Sequence, residues 1–250
     1  MLFIALLPLA LASCMDTREE LQIKKDGSGT LVMKTDMSKM VELMKNFASD
    51  SDIQKQGLDK PFDTTLLVNT YIDTVQGVPA DKKAALRDGQ LHLLLNVKEN
   101  VGKFDMVFPF GNTDQLSKLY ESLNAGTSGL KNMMGNMSGG GSQASGPDND
   151  ALPQITAIYD VTVKKGLYSR KVNKQRYEAF SQTMKPDQLK QMSSMMGPMN
   201  YTIVVTLPQP IKKTSNAKAV LSNDKRTATL QADLLETFEH PELLELDIEY

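Results

Sequence analysis

The hairpin signal that decides the fold class is Leu21-Gln22-Ile23-Lys24-Lys25-Asp26-Gly27-Ser28-Gly29-Thr30-Leu31-Val32-Met33. Two short apolar runs, 21–23 and 31–33, flank a turn of Asp, Gly and Ser residues. Such a turn between two runs with β-strand composition is typical of antiparallel strands joined by a short loop. The stretch therefore predicts a β-hairpin, and the chain after it, from Met37 to Phe47, carries apolar residues at helical spacing.

The same order of a strand pair followed by a helix recurs twice along the chain. The predicted strand pairs cover 21–33, 91–110 and 155–172, and the helices that follow them cover 37–47, 112–123 and 174–184. The other predicted elements are helices over 61–75, 79–87, 186–196 and 234–238, strands over 201–207, 219–222 and 228–231, and an edge strand over 244–248. This order predicts an α+β fold, with a mainly antiparallel sheet built from hairpins and helices packed on one face.

Between residues 125 and 153 the composition changes to Gly, Ser, Asn, Asp and Met. A segment of this kind cannot bury enough apolar surface to stay ordered, so we predict a disordered insertion. Because neither half of the chain has many apolar strands, we favour one sheet in a single domain over 21–250, although two domains separated by the insertion remain the alternative.

The N-terminus combines an apolar run with a lone cysteine. Residues 2–12 are apolar apart from Pro8, a run about half as long as the roughly 20 residues that a membrane-spanning helix needs. A short apolar run that ends in small residues is typical of a secretory signal. Leu11-Ala12-Ser13-Cys14 resembles the lipobox of bacterial lipoproteins, in which the cysteine thiol receives a diacylglycerol. We therefore predict a signal peptide over 1–13, lipidation of Cys14 and a polar tether over 14–20.

The chain also resembles a group of uncharacterised lipoproteins from Gram-negative bacteria, loosely of the LppM type. The resemblance is carried by the lipobox, the turn at 26–29 with the helix start at 36–38, and the segment from Tyr201 to Pro210 with parts of the tail that follows, including 240–243. It implies a lipid-anchored α+β domain of the cell envelope without assigned activity. It transfers no functional residue beyond Cys14.

The composition limits the kinds of partner and of binding site that the protein can have. The net charge is -2 and the chain has no basic block, which argues against nucleic acid as a partner. Since Cys14 is the only cysteine, the fold can have neither an internal disulfide nor a site with several thiolate ligands. We predict no cofactor.

Few residues suit catalysis. The two histidines, His92 and His240, are predicted in a strand and at a helix end, where neither needs a catalytic role. The sequence has no Gly-x-Ser-x-Gly elbow, phosphate-binding loop or dinucleotide-binding motif. An envelope hydrolase is kept as an alternative, because a catalytic triad is defined by geometry and not by sequence order.

Methionine is unusually frequent, with 15 residues. Two similar segments, 133–137 and 195–199, each contain three of them, and thioethers are soft ligands that select Cu(I). A copper site at Met195, Met196 and Met199 is therefore a second alternative. Methionine also fills cores and adaptable contact surfaces, which explains the same residues without a metal.

The sequence thus predicts a membrane-anchored envelope lipoprotein that acts as a non-enzymatic binding or structural module. Its expected partners are the membrane, through the lipid on Cys14, and either another envelope protein or a lipid or glycan ligand. We expect it at the outer membrane, with the periplasmic and the outer side both open.

Overall fold

Two β-sheets and six short α-helices make up the part of the chain that the computed structural model describes, residues 15–55, 57–75, 78–123, 155–183, 194 and 197–250. The strands are β1 (Met15–Ile23), β2 (Gly29–Asp36), β3 (Phe62–Leu67), β4 (Gln90–Asn96), β5 (Val101–Phe110), β6 (Tyr159–Lys164), β7 (Leu167–Val172), β8 (Met199–Thr206), β9 (Lys213–Thr214), β10 (Val220–Leu221), β11 (Thr227–Asp233) and β12 (Leu246–Glu249). The helices are α1 (Ser38–Phe47), α2 (Asp50–Lys55), α3 (Ala80–Leu86), α4 (113–123), α5 (Lys174–Thr183) and α6 (Leu234–Glu239). Short 3-10 turns cover Val68–Thr70, Ile72–Thr74, Ile155–Ile158 and Pro241–Leu244.

The larger sheet has eight strands in the order β10-β11-β8-β1-β2-β5-β4-β3, and the smaller has four in the order β6-β7-β12-β9. Every described strand pair is antiparallel except β1 with β8, which is parallel. The predicted α+β class with mainly antiparallel pairing is therefore confirmed.

The expectation of a single sheet is wrong. In the described residues β7 pairs with β6 and with β12, so the hairpin of β6 and β7 belongs to the smaller sheet and has no pairing with the larger one. The two sheets still share one continuous apolar core, which contains Leu31 and Ile203 from the larger sheet and Val161 and Ile248 from the smaller.

The predicted tether is also wrong, because the sheet begins at Met15 and residues 15–20 belong to β1. The strand alternates between buried and exposed positions, with Met15, Leu21 and Ile23 on its buried face. Thr17 and Glu19 occupy buried positions of the same face. A segment this polar does not look like a core strand, since burying a charged side chain is costly unless it is paired and hydrogen-bonded.

Two further predictions need correction. The stretch predicted as a helix over 61–75 forms the edge strand β3 and two 3-10 turns, because β-branched Thr64 and Thr65 favour a strand and β3 pairs with β4 over its whole length. The final strand β12 is not at an edge, since it lies between β7 and β9. The predicted insertion over 125–153 falls outside the described residues, as does the helix over 186–196 apart from Ser194.

Helix α6 shows how a local signal sets an element boundary. The Asp233 carboxylate accepts hydrogen bonds from the backbone N–H groups of Leu235 and Glu236, at 2.9 and 3.0 Å. An aspartate in this position satisfies backbone donors that have no partner within the helix. The helix then buries Leu234 and Phe238 in the core.

Candidate functional site

A fully buried ion pair joins the two sheets. Glu19 of β1 and Arg170 of β7 are each 0% exposed, and they are the charged side chains among the buried residues of the described ranges. The Nη1 atom of Arg170 donates to both carboxylate oxygens of Glu19, at 2.8 Å to Oε1 and 3.1 Å to Oε2. Residues that are 151 positions apart in sequence therefore meet at the interface of the sheets.

Two buried tyrosines complete the coordination of the Glu19 carboxylate. The hydroxyl of Tyr201 donates to Oε2 at 2.6 Å, and the hydroxyl of Tyr120 donates to Oε1. Each oxygen thus accepts one hydrogen bond from a tyrosine and one from the guanidinium. Hydrogen bonds to an ionised group are stronger than those between neutral groups, which offsets part of the cost of burying this charge.

Arg170 is less completely paired than Glu19. Its Cζ atom lies 4.1 Å from the centre of the Tyr159 ring, a distance at which the ring face attracts a cation. Its Nε and Nη2 atoms, and the buried hydroxyl of Tyr168, make no hydrogen bond of acceptable geometry to any described residue. The charge of Arg170 nevertheless acts on that hydroxyl and opposes its rise in pKa.

The four tyrosines around the ion pair hold their protons strongly. Burial raises the pKa of Tyr120 and Tyr201 well above the ordinary value, and the neighbouring Glu19 carboxylate raises both further. Burial likewise raises the pKa of Tyr159 and Tyr168, against the opposing effect of Arg170. For Arg170 itself, burial lowers the pKa, but Glu19 and the surrounding tyrosines outweigh this and the net shift is upward.

Strand register explains how the cluster assembles. Glu19 lies two residues after Thr17, whose partner in the parallel strand β8 is Tyr201, so both side chains are on the face that covers the smaller sheet. In that sheet Arg170 pairs with Val161, and Tyr168 is two residues before it, which puts their side chains on one face. Helix α4 contributes Tyr120 from its buried side.

The arrangement can fix the relative position of the two sheets. A general acid or base must come within hydrogen-bond reach of its substrate, and Glu19 and Arg170 have no exposed surface. A buried ion pair is weak evidence of net stability, but it penalises any packing that separates its partners. We name the group Glu19, Arg170, Tyr120, Tyr159, Tyr168 and Tyr201 the Glu19–Arg170 cluster.

The residues predicted for lipidation and copper binding are mostly outside the described ranges. Cys14, Met195 and Met196 fall outside them. Met199 is the first residue of β8, is 0% exposed and pairs with Met15 across the parallel ladder. In the described part it is therefore a core residue.

The two histidines lie in separate surface contacts. The Nε2 atom of His92 is 2.8 Å from Oδ1 of Asp63, and Nδ1 of His240 is 3.2 Å from Oε1 of Glu242. Within the described residues, no three His, Cys, Asp or Glu side chains converge so that they could hold a metal ion. None of the helices in these ranges has the length and apolar composition needed to cross a bilayer.

Sequence reasoning missed the whole cluster. A usable signal was present in β1, where Met15, Leu21 and Ile23 alternate with exposed residues and so place Glu19 on the buried face. A charge at an inward position of an alternating strand indicates that a buried partner exists elsewhere. It does not identify the partner, because the pairing is decided by packing between distant segments.

The fold and the cluster define a mixed α and β protein in which a buried ion pair connects two mainly antiparallel sheets. No protein-family model matches the chain, and no curated protein matches it. Among solved structures, the chain is similar to the folded domain of LppM from Mycobacterium tuberculosis, determined by NMR. The TM-score is 0.35 and the identity 8%, over 95% of this chain and 91% of that one. No residue role is transferred from it.

Two tyrosine substitutions test the geometry of the cluster. Tyr201→Phe removes a hydrogen bond to the buried charge of Glu19, and we expect it to lower the free energy of unfolding by about 1.5–3 kcal/mol. Tyr168→Phe removes an equally buried hydroxyl that has no such bond, so we expect a change of about 1 kcal/mol or less, or a gain. Urea denaturation measures both. Equal losses would show that the Tyr168 hydroxyl accepts a hydrogen bond from Arg170.

Proposed function

We propose that this chain is a lipid-anchored protein of the bacterial cell envelope and acts there as a non-enzymatic binding or structural module. The proposal of a lipid anchor rests on Leu11-Ala12-Ser13-Cys14, in which the lone cysteine of the chain follows small residues at the end of an apolar run. Each acyl methylene that enters the bilayer contributes about 0.8 kcal/mol, and two or more chains make attachment stable.

If Cys14 carries lipid, the start of the fold sets how close the domain lies to the membrane. Met15 is the first residue of β1 and is 1% exposed, so an anchor on Cys14 would be joined to the central strands by a single peptide bond. The domain would then be held directly at the membrane surface. This geometry suits a protein whose partner lies at or in the same membrane.

A non-enzymatic role is supported by where the described protein places its polar groups. The residues with the strongest pKa shifts belong to the Glu19–Arg170 cluster, which has no exposed charged group. Perturbed pKa values mark functional sites when the groups line a cleft, and structural ion-pair networks produce the same shifts. The enclosed cluster fits the structural explanation.

The proposed location is the outer membrane, with the lipid bilayer as the first partner. A second partner would be another envelope protein, a lipid or a glycan, recognised by the exposed surface of the domain. The side of the membrane on which the domain lies is a separate question, which protease treatment of intact cells answers.

Cys14→Ser tests the anchor. We expect the wild-type protein to incorporate labelled palmitate and to sediment with membranes, whereas Cys14→Ser should take up no label and should lose stable attachment. To avoid retention of an uncleaved leader, Cys14→Ser is exported with a secretory leader of known cleavage in place of residues 1–13, whereas the wild type keeps lipobox residues 11–13.

Ser13→Ala is the matched control, because it keeps a small residue before the cysteine and should label as the wild type does. Circular dichroism should show the same fold for all three forms. Membrane-bound Cys14→Ser that has lost its leader, or wild-type protein without label, would contradict the proposal.

A further inference from the structure

Helix α1 carries more apolar surface than the core covers. Val41 is its only buried residue in the described structure, and Met37, just before it, packs against the core. A second apolar stripe, at spacings of three, four and seven residues, consists of Met40, Leu43, Met44 and Phe47. Met44 is 37% exposed and Phe47 is 85% exposed.

The stripe points away from the core because of helix geometry. At about 100° per residue, Met40, Phe47 and Leu43 lie roughly 100°, 120° and 160° from the direction of Val41, and Met44 lies roughly 60° from it on the same side. Polar residues occupy the remaining side of the helix, including Lys39, which pairs with Glu42 at 2.6 Å. The helix therefore has a second apolar face, on which Met40 and Leu43 are half-buried and Met44 and Phe47 are exposed.

Hydrogen bonds place α1 at the end of the larger sheet where β1 begins. Asp16, the second residue of β1, pairs with Asp36, the last residue of β2, and the Met37 N–H then donates to the Gly102 carbonyl at 2.7 Å. Further along the helix, Nζ of Lys45 donates to the Lys98 carbonyl at 2.9 Å, in the turn between β4 and β5. The helix thus lies across this end of the sheet over its whole length.

We propose that the Met40–Phe47 stripe of α1 is a membrane-contacting surface that inserts its apolar side chains into the bilayer interface. The inference rests on the proposed anchor at Cys14. One residue spans at most about 3.6 Å, so lipid on Cys14 would hold the beginning of β1, and the helix at the same end of the sheet, next to the headgroups. Amphipathic helices bury their apolar face about 5–10 Å deep in that layer.

The anchor also explains why a short stripe suffices. Free in solution, a ten-residue helix with a few apolar side chains would bind a bilayer weakly. Tethering converts this contact into an intramolecular event with a high effective concentration. The stripe would then set the orientation of the domain on the membrane, leaving the opposite end of the sheet free for a second partner.

The sequence contains no tryptophan, so single-tryptophan variants report on chosen sites without background. Phe47→Trp in the lipidated protein is reconstituted into phosphatidylethanolamine and phosphatidylglycerol vesicles, with brominated lipids as quenchers. We expect a blue-shifted emission and several-fold stronger quenching than in the control variant.

The control is Val220→Trp, at a site that is 68% exposed. Across the sheet, Val220 lies in the same row of paired residues as Glu20 of β1. Glu20 is five positions after Met15, so this row is about 17 Å from the end of the sheet where β1 begins. Its emission should remain that of a water-exposed indole. Both replaced residues are on the surface, so the fold should tolerate the two changes equally.

Three results would overturn the inference, and they differ from one another. If the lipidated protein floats with vesicles but Phe47→Trp behaves as Val220→Trp does, the stripe does not contact the membrane, although the lipid anchor is present. If the wild type fails to float, as Cys14→Ser should, the proposed anchor is wrong, and the membrane-contact proposal that rests on it is wrong too. If Phe47→Trp in the Cys14→Ser background is blue-shifted without vesicles and in proportion to protein concentration, a second copy of the chain covers the stripe.

Discussion

Replacing Arg170 with methionine should lower the free energy of unfolding by about 3–5 kcal/mol, because it leaves the Glu19 carboxylate buried without a cation. Methionine keeps most of the apolar volume of the arginine stem, so the loss reports on the charge more than on a cavity. The two tyrosine hydroxyls on Glu19 cannot neutralise it. Urea denaturation, analysed as a two-state transition, measures the effect.

Lys171→Met is the matched control, since it removes a cation from the next position of the same strand. Nζ of Lys171 is 2.9 Å from Asp247, but the side chain is 46% exposed, and exposed pairs contribute about 0–1 kcal/mol. A third variant, Arg170→Met with Glu19→Leu, removes both charges and should recover much of the loss. If Arg170→Met costs no more than Lys171→Met, the pair does not hold the sheets together.

The protein should unfold cooperatively in alkali, between about pH 11 and 12. The unfolded chain loses its tyrosine protons near pH 10, whereas the raised pKa values of Tyr120, Tyr159, Tyr168 and Tyr201 keep them bound in the fold. The folded state then binds more protons, so the stability is complete below pH 10 and is lost as the pH rises. Above pH 10, each tyrosine lowers the free energy of unfolding by about 1.4 kcal/mol per pH unit, and the four together lower it by roughly 5–6 kcal/mol per unit. This loss is comparable with the whole stability of a domain.

Tyrosinate absorbance and circular dichroism, followed together, check this expectation. The four tyrosines should ionise together with the loss of secondary structure. Tyr168→Phe should reduce the pH dependence by about 1.4 kcal/mol per unit and shift the transition to higher pH. Ionisation of all four near pH 10 in a protein that keeps its circular dichroism would mean that the cluster is open to solvent.

Local signals predicted some elements well. The turn at 26–29 and the hairpin over 91–110 appear as β1 with β2 and β4 with β5, because turn chemistry and alternation act within a few residues. The segment over 61–75 failed because its apolar residues fit both helical and strand spacing. Pairing with β4 along the sheet edge then selected the strand.

The buried cluster was beyond local reasoning. Glu19 and Arg170 are ordinary charged residues in the sequence, and charged residues are almost always exposed unless they are paired. Each can be buried only because the other is present, together with Tyr120 and Tyr201, at sequence separations of 101, 151 and 182 residues. No window of sequence contains that information.

By itself, the sequence determined the α+β class, the hairpins and the single cysteine that makes Cys14 the candidate for lipidation. Only the tertiary structure decided that polar residues 15–20 are part of a central strand, that the strands divide between two sheets, and that a charged pair connects them. The physical reason is that turns and alternation are properties of neighbouring residues. The burial of a charge and the division of strands between sheets depend on which distant partners the whole chain brings together.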